Sequence, residues 1–198
     1  MIQIMCILVI VLGMTMVMPL LVNHGRSRRI KLILGIVFCV YFAGNLYFTL
    51  LSRRSGSSQY FELQPFRVYG HLFESQVEEI KASGFAAMFL QGTLPITGLI
   101  LNILLYYPLG YLLPILFPKL KPKHVILIGY LCSIATEATQ YLLKMGWCET
   151  DDVIHNTLGT TIGVWVWLWQ SKRLNAQRSA NPGKGEADSA QSRSVDSG

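Results

Sequence analysis

Five long apolar blocks, separated by short charged stretches, restrict this chain more than any other feature of its sequence. They cover residues 2–22, 30–51, 96–117, 125–143 and 153–169. Because a helix rises about 1.5 Å per residue, about 20 apolar residues cross the hydrocarbon core of a bilayer. With 52% hydrophobic and only 14% charged residues, the chain does not have a disordered composition, and a soluble protein is disfavoured. The sequence predicts an all-α, polytopic membrane bundle of five transmembrane helices within residues 1–172.

The first block, residues 2–22, has a second interpretation, because an uncharged N-terminal segment can also be a cleaved signal peptide. No basic segment precedes the block, and no small-x-small cleavage site follows it. These two features favour a retained span over a signal peptide.

The distribution of Lys and Arg predicts how the bundle is oriented. Twelve basic residues lie in the connections 23–31 and 118–124 and in the C-terminal tail, against five in the other two connections. Cytoplasmic loops retain positive charge during insertion, so we expect the N-terminus outside and the C-terminus inside. The net charge of +6 has the same explanation, and no nucleic-acid partner is expected.

Two segments lie outside the predicted spans. The loop 52–95 is too long for a simple connector. Apolar spacing in its stretch HLFESQVEEIKASGF predicts a short amphipathic helix that lies on the outer leaflet or caps the bundle. The tail 173–198 is rich in Ser, Gly, Ala and charged residues, which predicts a disordered cytoplasmic segment.

Polar side chains inside the spans need their own explanation. Glu137 is the only acid well inside a span, where an ionisable group costs roughly 2.5 to 3.5 kcal/mol. Side chains three or four residues apart share a helix face, so the third, fourth and fifth spans each have a polar stripe. The stripes contain Asn102, Tyr106 and Gly110; Ser133, Glu137, Gln140, Tyr141 and Lys144; and Asp152, Asn156 and Thr160.

These stripes are expected to meet in the outer half of the bilayer. From the rise per residue, Glu137 lies about 10 Å, Asn102 about 8 Å and Asn156 about 6 Å below the outer end of its helix. The short connection 144–151 makes the fourth and fifth spans antiparallel neighbours. We therefore predict a polar pocket, open to the outside, with ligand-binding residues Asn102, Tyr106, Glu137, Gln140, Asp151, Asp152, Asn156 and Gly159.

A plainer interpretation applies to each of these residues. Interhelical hydrogen bonds worth about 0.6 to 2 kcal/mol can simply hold helices together, and Asp152 can be a helix cap. Gly159 and Gly163 match a small-xxx-small pattern, which favours close helix contact over ligand approach. His71 and His155 lack the spacing of metal ligands, and neither a metal nor a cofactor is expected.

Three motifs occur in a fixed order along the chain: NILLYYPLGYLLP at 102–114, ATEATQ at 135–140 and TDDVIHNTLGTTIG at 150–163. A Pro-Phe pair, Pro65 and Phe66, follows the second span. Together these features resemble the VanZ-like family, whose pattern is an Asn-initiated apolar run leading to Pro-x-Gly, then Glu-x-x-Gln, then Asp-Asp-x-x-x-Asn-x-x-Gly. The resemblance covers roughly residues 45–170; His155 stands where the family more often has an apolar residue.

The resemblance implies a multi-pass protein of the bacterial cell membrane. It relates the chain to the accessory factor that gives low-level teicoplanin resistance without altering the D-Ala-D-Ala end of the cell-wall precursor. Family analogy by itself does not establish the function of one member.

The first function that we infer is non-catalytic binding of an amphiphile in the outer leaflet. The expected partners are membrane lipids and either a lipid-linked cell-wall precursor or a lipoglycopeptide; the oligomeric state is left open. Three arginines of the outer loop would meet phosphate groups or anionic lipid: Arg53, Arg54 and Arg67.

Two alternatives belong to other classes. In an intramembrane enzyme acting on a lipid-linked phosphate, Glu137, Asp151 and Asp152 would bind a divalent cation or act as acid and base. In a small transporter, the buried carboxyl would carry a proton. The chain has no recognised nucleophile or phosphate-binding motif and no visible repeat, which favours the binding function.

Overall fold

The computed structural model describes residues 13, 15, 28–51, 60–62, 64–66, 81, 84, 95–144 and 147–180. In this part of the chain, the long helices are α1 (Arg28–Leu46), α2 (Pro95–Leu116), α3 (Pro122–Leu142) and α4 (Thr150–Ala180). A π-helical turn, Tyr47–Leu51, continues α1, and two short strands are β1 (Tyr60–Glu62) and β2 (Trp147–Glu149). The predicted first span and the amphipathic helix of the outer loop lie almost entirely outside the described residues.

Two of these helices have the length and apolar composition to cross a membrane. They are Gly98–Leu116 within α2, with 19 residues, and all of α3, with 21. The apolar part of α1, Ile30–Leu46, is shorter. The helical fold is therefore as expected, while the five spans and their orientation stay predictions.

The helix ends follow from local sequence. Pro122 occupies the first turn of α3, where its missing N–H costs nothing, and Lys121 before it is extended. At the other end, the Leu143 N–H donates to the Thr139 carbonyl, and Lys144 adopts a left-handed conformation with φ 54. Both features turn the chain sharply, so α3 runs antiparallel to α2 and to α4.

Glycines allow α2 and α4 to pack closely. A Cβ at Gly110 would overlap the Thr160 backbone, and one at Gly163 would overlap the Tyr107 carbonyl. Gly159 meets the Ile103 carbonyl in the same way. The close helix contact predicted for Gly159 and Gly163 is confirmed, and it explains why small residues stand on facing sides of these helices.

The first helix joins the bundle through polar contacts as well as apolar ones. The Tyr41 hydroxyl donates to the Leu105 carbonyl of α2 at 2.7 Å, and the Asn45 side-chain amide donates to the Tyr41 oxygen at 3.2 Å. Leu34 is buried against Tyr107 and Tyr111. α1 therefore lies beside α2.

The all-α prediction is confirmed for the described helices, and the one addition is a short parallel pair, in which Tyr60 of β1 lies opposite Trp147 of β2 and Glu62 lies opposite Glu149. Three residues are too few to show a strand periodicity. One expectation needs correction: α4 continues to Ala180, so the prediction of disorder was wrong for 173–180. This stretch is polar but contains Arg, Leu, Ala and Gln, which extend an existing helix readily.

Candidate functional site

Polar side chains from α2, α3 and α4 converge at the end of the bundle where α3 connects to α4. We call this group the polar cluster. Its members, all placed by the structure, are Asn102, Ser133, Glu137, Gln140, Asp151, Asp152 and Asn156. Most of them are buried, so each buried polar atom needs a partner.

The first link of the polar cluster joins α2 to α4. The Asn102 side-chain amide donates to the Asp152 carboxylate, with 2.6 Å between Nδ2 and Oδ1. Asp152 and Asp151 stand in the first turn of α4, where the partial positive charge of the helix favours carboxylates. A hydrogen bond to a charged acceptor is stronger than one between neutral groups, so this link fixes the register of the two helices.

The second link joins α3 to α4. Asn156 donates from Nδ2 to the Ser133 hydroxyl oxygen at 2.9 Å, and both side chains are buried. One turn along α3, the Glu137 carboxylate accepts from the backbone N–H of Glu149 at 3.2 Å. With only 3% of Glu137 exposed, its carboxyl lies inside the protein, directly beneath the connection to α4.

The segments that follow α1 complete the polar cluster. Gln140 donates from Nε2 to the Thr49 carbonyl of the π-helical turn at 2.7 Å. The Phe66 N–H donates to Asp151 Oδ1 at 2.8 Å, and Phe66 itself has a left-handed φ of 65. A left-handed backbone is costly for a bulky residue, so Asp151 stabilises a strained turn. The strand pair β1–β2 brings this turn to the start of α4.

Two amide oxygens of the polar cluster find no hydrogen-bond donor in the described part of the chain. They are Gln140 Oε1 and Asn156 Oδ1, on side chains that are 1% and 3% exposed. For Gln140 the orientation of the amide is dictated by chemistry, since the Thr49 carbonyl only accepts and must face the nitrogen. A buried polar atom without a partner costs free energy, so these two amide oxygens are unsatisfied acceptors within the polar cluster.

A mostly apolar cavity of about 150 Å³ lies between α1, α2 and α3, next to the polar cluster. Tyr106 and Thr136 lie on its wall and share a hydrogen bond of 3.1 Å between their hydroxyl oxygens. Thr136 directly precedes Glu137 in the chain. The remaining lining residues are Phe42, Asn45, Leu46, Leu50, Leu109, Cys132, Ala135 and Thr139.

The predicted ligand-binding residues do not all lie in one place. Six of them belong to the polar cluster: Asn102, Glu137, Gln140, Asp151, Asp152 and Asn156. Tyr106 lines the apolar cavity instead, and Gly159 packs on the Ile103 backbone. Tyr141 and Lys144, expected on the polar face of α3, are exposed, and Lys144 lies beyond the end of the helix at Leu142.

Three residues that line the cavity or bond to the polar cluster were not predicted from the sequence. Thr136 falls within the motif ATEATQ at 135–140, which was the available signal. Asn45 is a buried amide in the second apolar block. The available signal was a polar residue within an apolar block, because such residues usually face the protein interior. The Thr49 carbonyl gave no signal, because a backbone acceptor can be supplied by any residue.

Other expectations concern residues that the structure does not describe or does not link to the polar cluster. Arg53, Arg54 and Arg67 lie outside the described residues. Among the residues that are described, no group of three or more His, Cys, Asp and Glu side chains is arranged to hold a metal ion. His155 is buried on α4, one turn after Asp151.

These features define a class: a helical, membrane-type protein with a buried polar cluster at one end of its bundle and an apolar cavity beside it. The family model described as VanZ/LLP1 matches residues 30–171, and the chain belongs to this family. The family is typically associated with membranes, in agreement with the two helices that are able to span one. The chain has no match among curated proteins or among solved structures.

Proposed function

We propose that this VanZ-family protein is a non-catalytic, multi-pass protein of the bacterial cell membrane that binds an amphiphile. Through that binding it contributes to teicoplanin or lipoglycopeptide resistance, or to homeostasis of the cell envelope. The observation that supports the proposal is the buried polar cluster with its two unpaired amide oxygens, directly beside an apolar cavity.

The two compartments match the two parts of an amphiphile. Unpaired acceptors at Gln140 and Asn156 offer hydrogen bonds to a polar head group. The cavity lies beside the polar cluster. Leu46, one of its lining residues, is 38% exposed, so lipid around the protein would contact it. A lipid-linked cell-wall precursor and the lipid tail of a lipoglycopeptide both have this two-part character.

Drug protection tests the proposal at the level of the cell. In a susceptible host, expression of the wild-type chain is expected to raise the teicoplanin concentration that inhibits growth. Glu137→Ala and Asp152→Ala remove carboxylates that bond Glu149 and Asn102, and each is expected to return inhibition to the level of cells without the protein.

The matched control is Thr157→Val. Thr157 follows Asn156 on α4, and its hydroxyl donates to the Val153 carbonyl within the same helix. The control is expected to keep full protection, and immunoblots of membrane fractions check that all variants are present at equal levels. Full protection by both alanine variants would end the proposal.

Photocrosslinking in living cells identifies the ligand. A photoreactive residue at position 139 lies on the cavity wall, whereas one at position 130 lies on the exposed, opposite face of α3. Position 139 is expected to capture an amphiphile that position 130 does not. Capture of the same bulk phospholipids at both positions would favour a purely structural role for the polar residues.

A further inference from the structure

Three hydroxyl groups lie on the wall of the cavity between α1, α2 and α3. The Thr136 hydroxyl donates to the Cys132 carbonyl at 3.0 Å, and because a hydroxyl has one hydrogen, it is Tyr106 that donates to the Thr136 oxygen. The Thr139 hydroxyl donates to the Ala135 carbonyl at 2.7 Å. All three hydroxyl hydrogens are used within the protein, so the wall suits a hydrocarbon better than a polar head group.

The exposed lining residues place the opening of the cavity on the side of the bundle. They are Leu46 on α1 and Ala135 on α3. Tyr47, which follows Leu46, is exposed, and so are Leu131 and Leu142, which share a face of α3 with Ala135. This surface is uncharged. In a membrane, the opening therefore meets lipid.

The depth of the cavity along α3 corresponds to one leaflet. Its lining extends from Cys132 to Thr139, about 5 to 15 Å from the helix end at Leu142. Half of a hydrocarbon core is about 15 Å thick, and α3 is long enough to cross the whole core. The volume of about 150 Å³ equals that of an apolar cavity that holds a benzene ring, so about six carbon atoms fit.

We propose that one hydrocarbon chain enters this cavity sideways from the bilayer, between Leu46 and Ala135. An apolar cavity that stays empty loses dispersion contacts, and a chain from the surrounding lipid restores them. The ligand is then an amphiphile that is already inserted in the membrane, and a water-soluble molecule with the same head group but no long chain is not a ligand. This inference rests on the proposed function, because it names the route of the same amphiphile and the part of it that the cavity holds.

Two probes with the same head group separate entry from the bilayer from entry from water. Both are alkylphosphocholines with an alkyne tag; one has a hexadecyl chain, and the other has a butyl chain and stays in water. The purified full-length protein, with a photoreactive residue at position 139 on the cavity wall, is reconstituted in phosphatidylglycerol liposomes and illuminated with equal concentrations of either probe. We expect capture of the hexadecyl probe and no capture of the butyl probe.

Substitutions on the exposed face of α3 test the opening itself. Ala135→Trp places a large ring at the opening and is expected to abolish capture of the hexadecyl probe at position 139. Leu131→Trp is the matched control, since Leu131 is exposed one turn earlier and does not line the cavity. It is expected to keep the capture of the protein without a tryptophan substitution. Circular dichroism checks that both variants keep their helices.

The outcomes distinguish this inference from the proposed function. Equal capture of both probes, no capture of the hexadecyl probe, or capture that Ala135→Trp does not lower would each overturn entry from the bilayer. If drug protection is still lost in Glu137→Ala and Asp152→Ala, such a result leaves the proposed function in place. Full protection by those two variants would instead end the proposed function, whatever the two probes show.

Discussion

At the scale of single residues, two hydrogen bonds of the polar cluster join side chains on different helices. Asn102 bonds Asp152, and Asn156 bonds Ser133. In membranes, interhelical hydrogen bonds between side chains average about 0.6 kcal/mol, because the unfolded chain also finds partners there. A carboxylate acceptor makes the Asn102–Asp152 bond one of the stronger cases.

A double-mutant cycle tests that bond. Asn102→Ala and Asp152→Ala are each expected to lower the free energy of unfolding, and the double variant is expected to lower it by less than the sum. The coupling should be about 1 to 2 kcal/mol, within the range for side chains in direct contact. It is measured by denaturant titration of the protein in bicelles, and strictly additive effects would contradict a direct bond.

At the scale of secondary-structure elements, the contact between α2 and α4 organises the bundle. Gly110 of α2 lies against the Thr160 backbone, and Gly159 and Gly163 of α4 lie against carbonyl groups of α2. Close approach of the two backbones is what allows Asn102 to reach Asp152. The glycines therefore position the polar cluster without belonging to it.

A pair of alanine substitutions on α2 tests this role. Gly110→Ala forces a Cβ into the Thr160 backbone, so it is expected to destabilise the protein by about 1 to 3 kcal/mol, as overpacking does. Gly98→Ala, on the same helix, has open space around the added carbon and should be neutral or stabilising by up to about 1 kcal/mol. Unfolding in bicelles measures both, and equal effects would show that backbone contact is unimportant.

At the scale of the whole molecule, the polar cluster occupies one end of the bundle and a group of four basic residues occupies the other. The turn between α2 and α3 contains Lys119 and Lys121, and Lys172 and Arg173 follow at the same end of α4. The Arg173 guanidinium lies 4.0 Å from the centre of the Trp169 ring, which is a cation–π contact. The 31 residues of α4 span about 46 Å, which exceeds the thickness of about 30 Å of a hydrocarbon core.

Cysteine labelling tests the predicted orientation. Lys119 and Lys144 are both exposed and stand at opposite ends of α3. In a cysteine-free background, Lys144→Cys is expected to react with a membrane-impermeant maleimide in intact cells, because positive charge keeps the other end inside. Lys119→Cys should react only after permeabilisation. The reverse pattern would place the polar cluster on the cytoplasmic side.

Local sequence was enough to predict the described helices and most of the residues on their buried faces. Proline at the start of α3 sets its boundary, and the spacing of Ser133, Glu137 and Gln140 places all three on the buried side. The same reasoning failed for Lys144, because the helix ends before it and the turn exposes it. It also mistook the polar composition of 173–180 for disorder.

The sequence by itself determined the helices of the described part of the chain and the polar stripes on three of them, because helices form through contacts between residues three or four positions apart. Only the tertiary structure decided which stripes meet and which atoms stay unpaired. Gln140 and Thr49 are 91 residues apart in the chain, and their contact depends on how separate helices pack. The amide oxygens left over by that packing are therefore a property of the fold, and no local pattern could have predicted them.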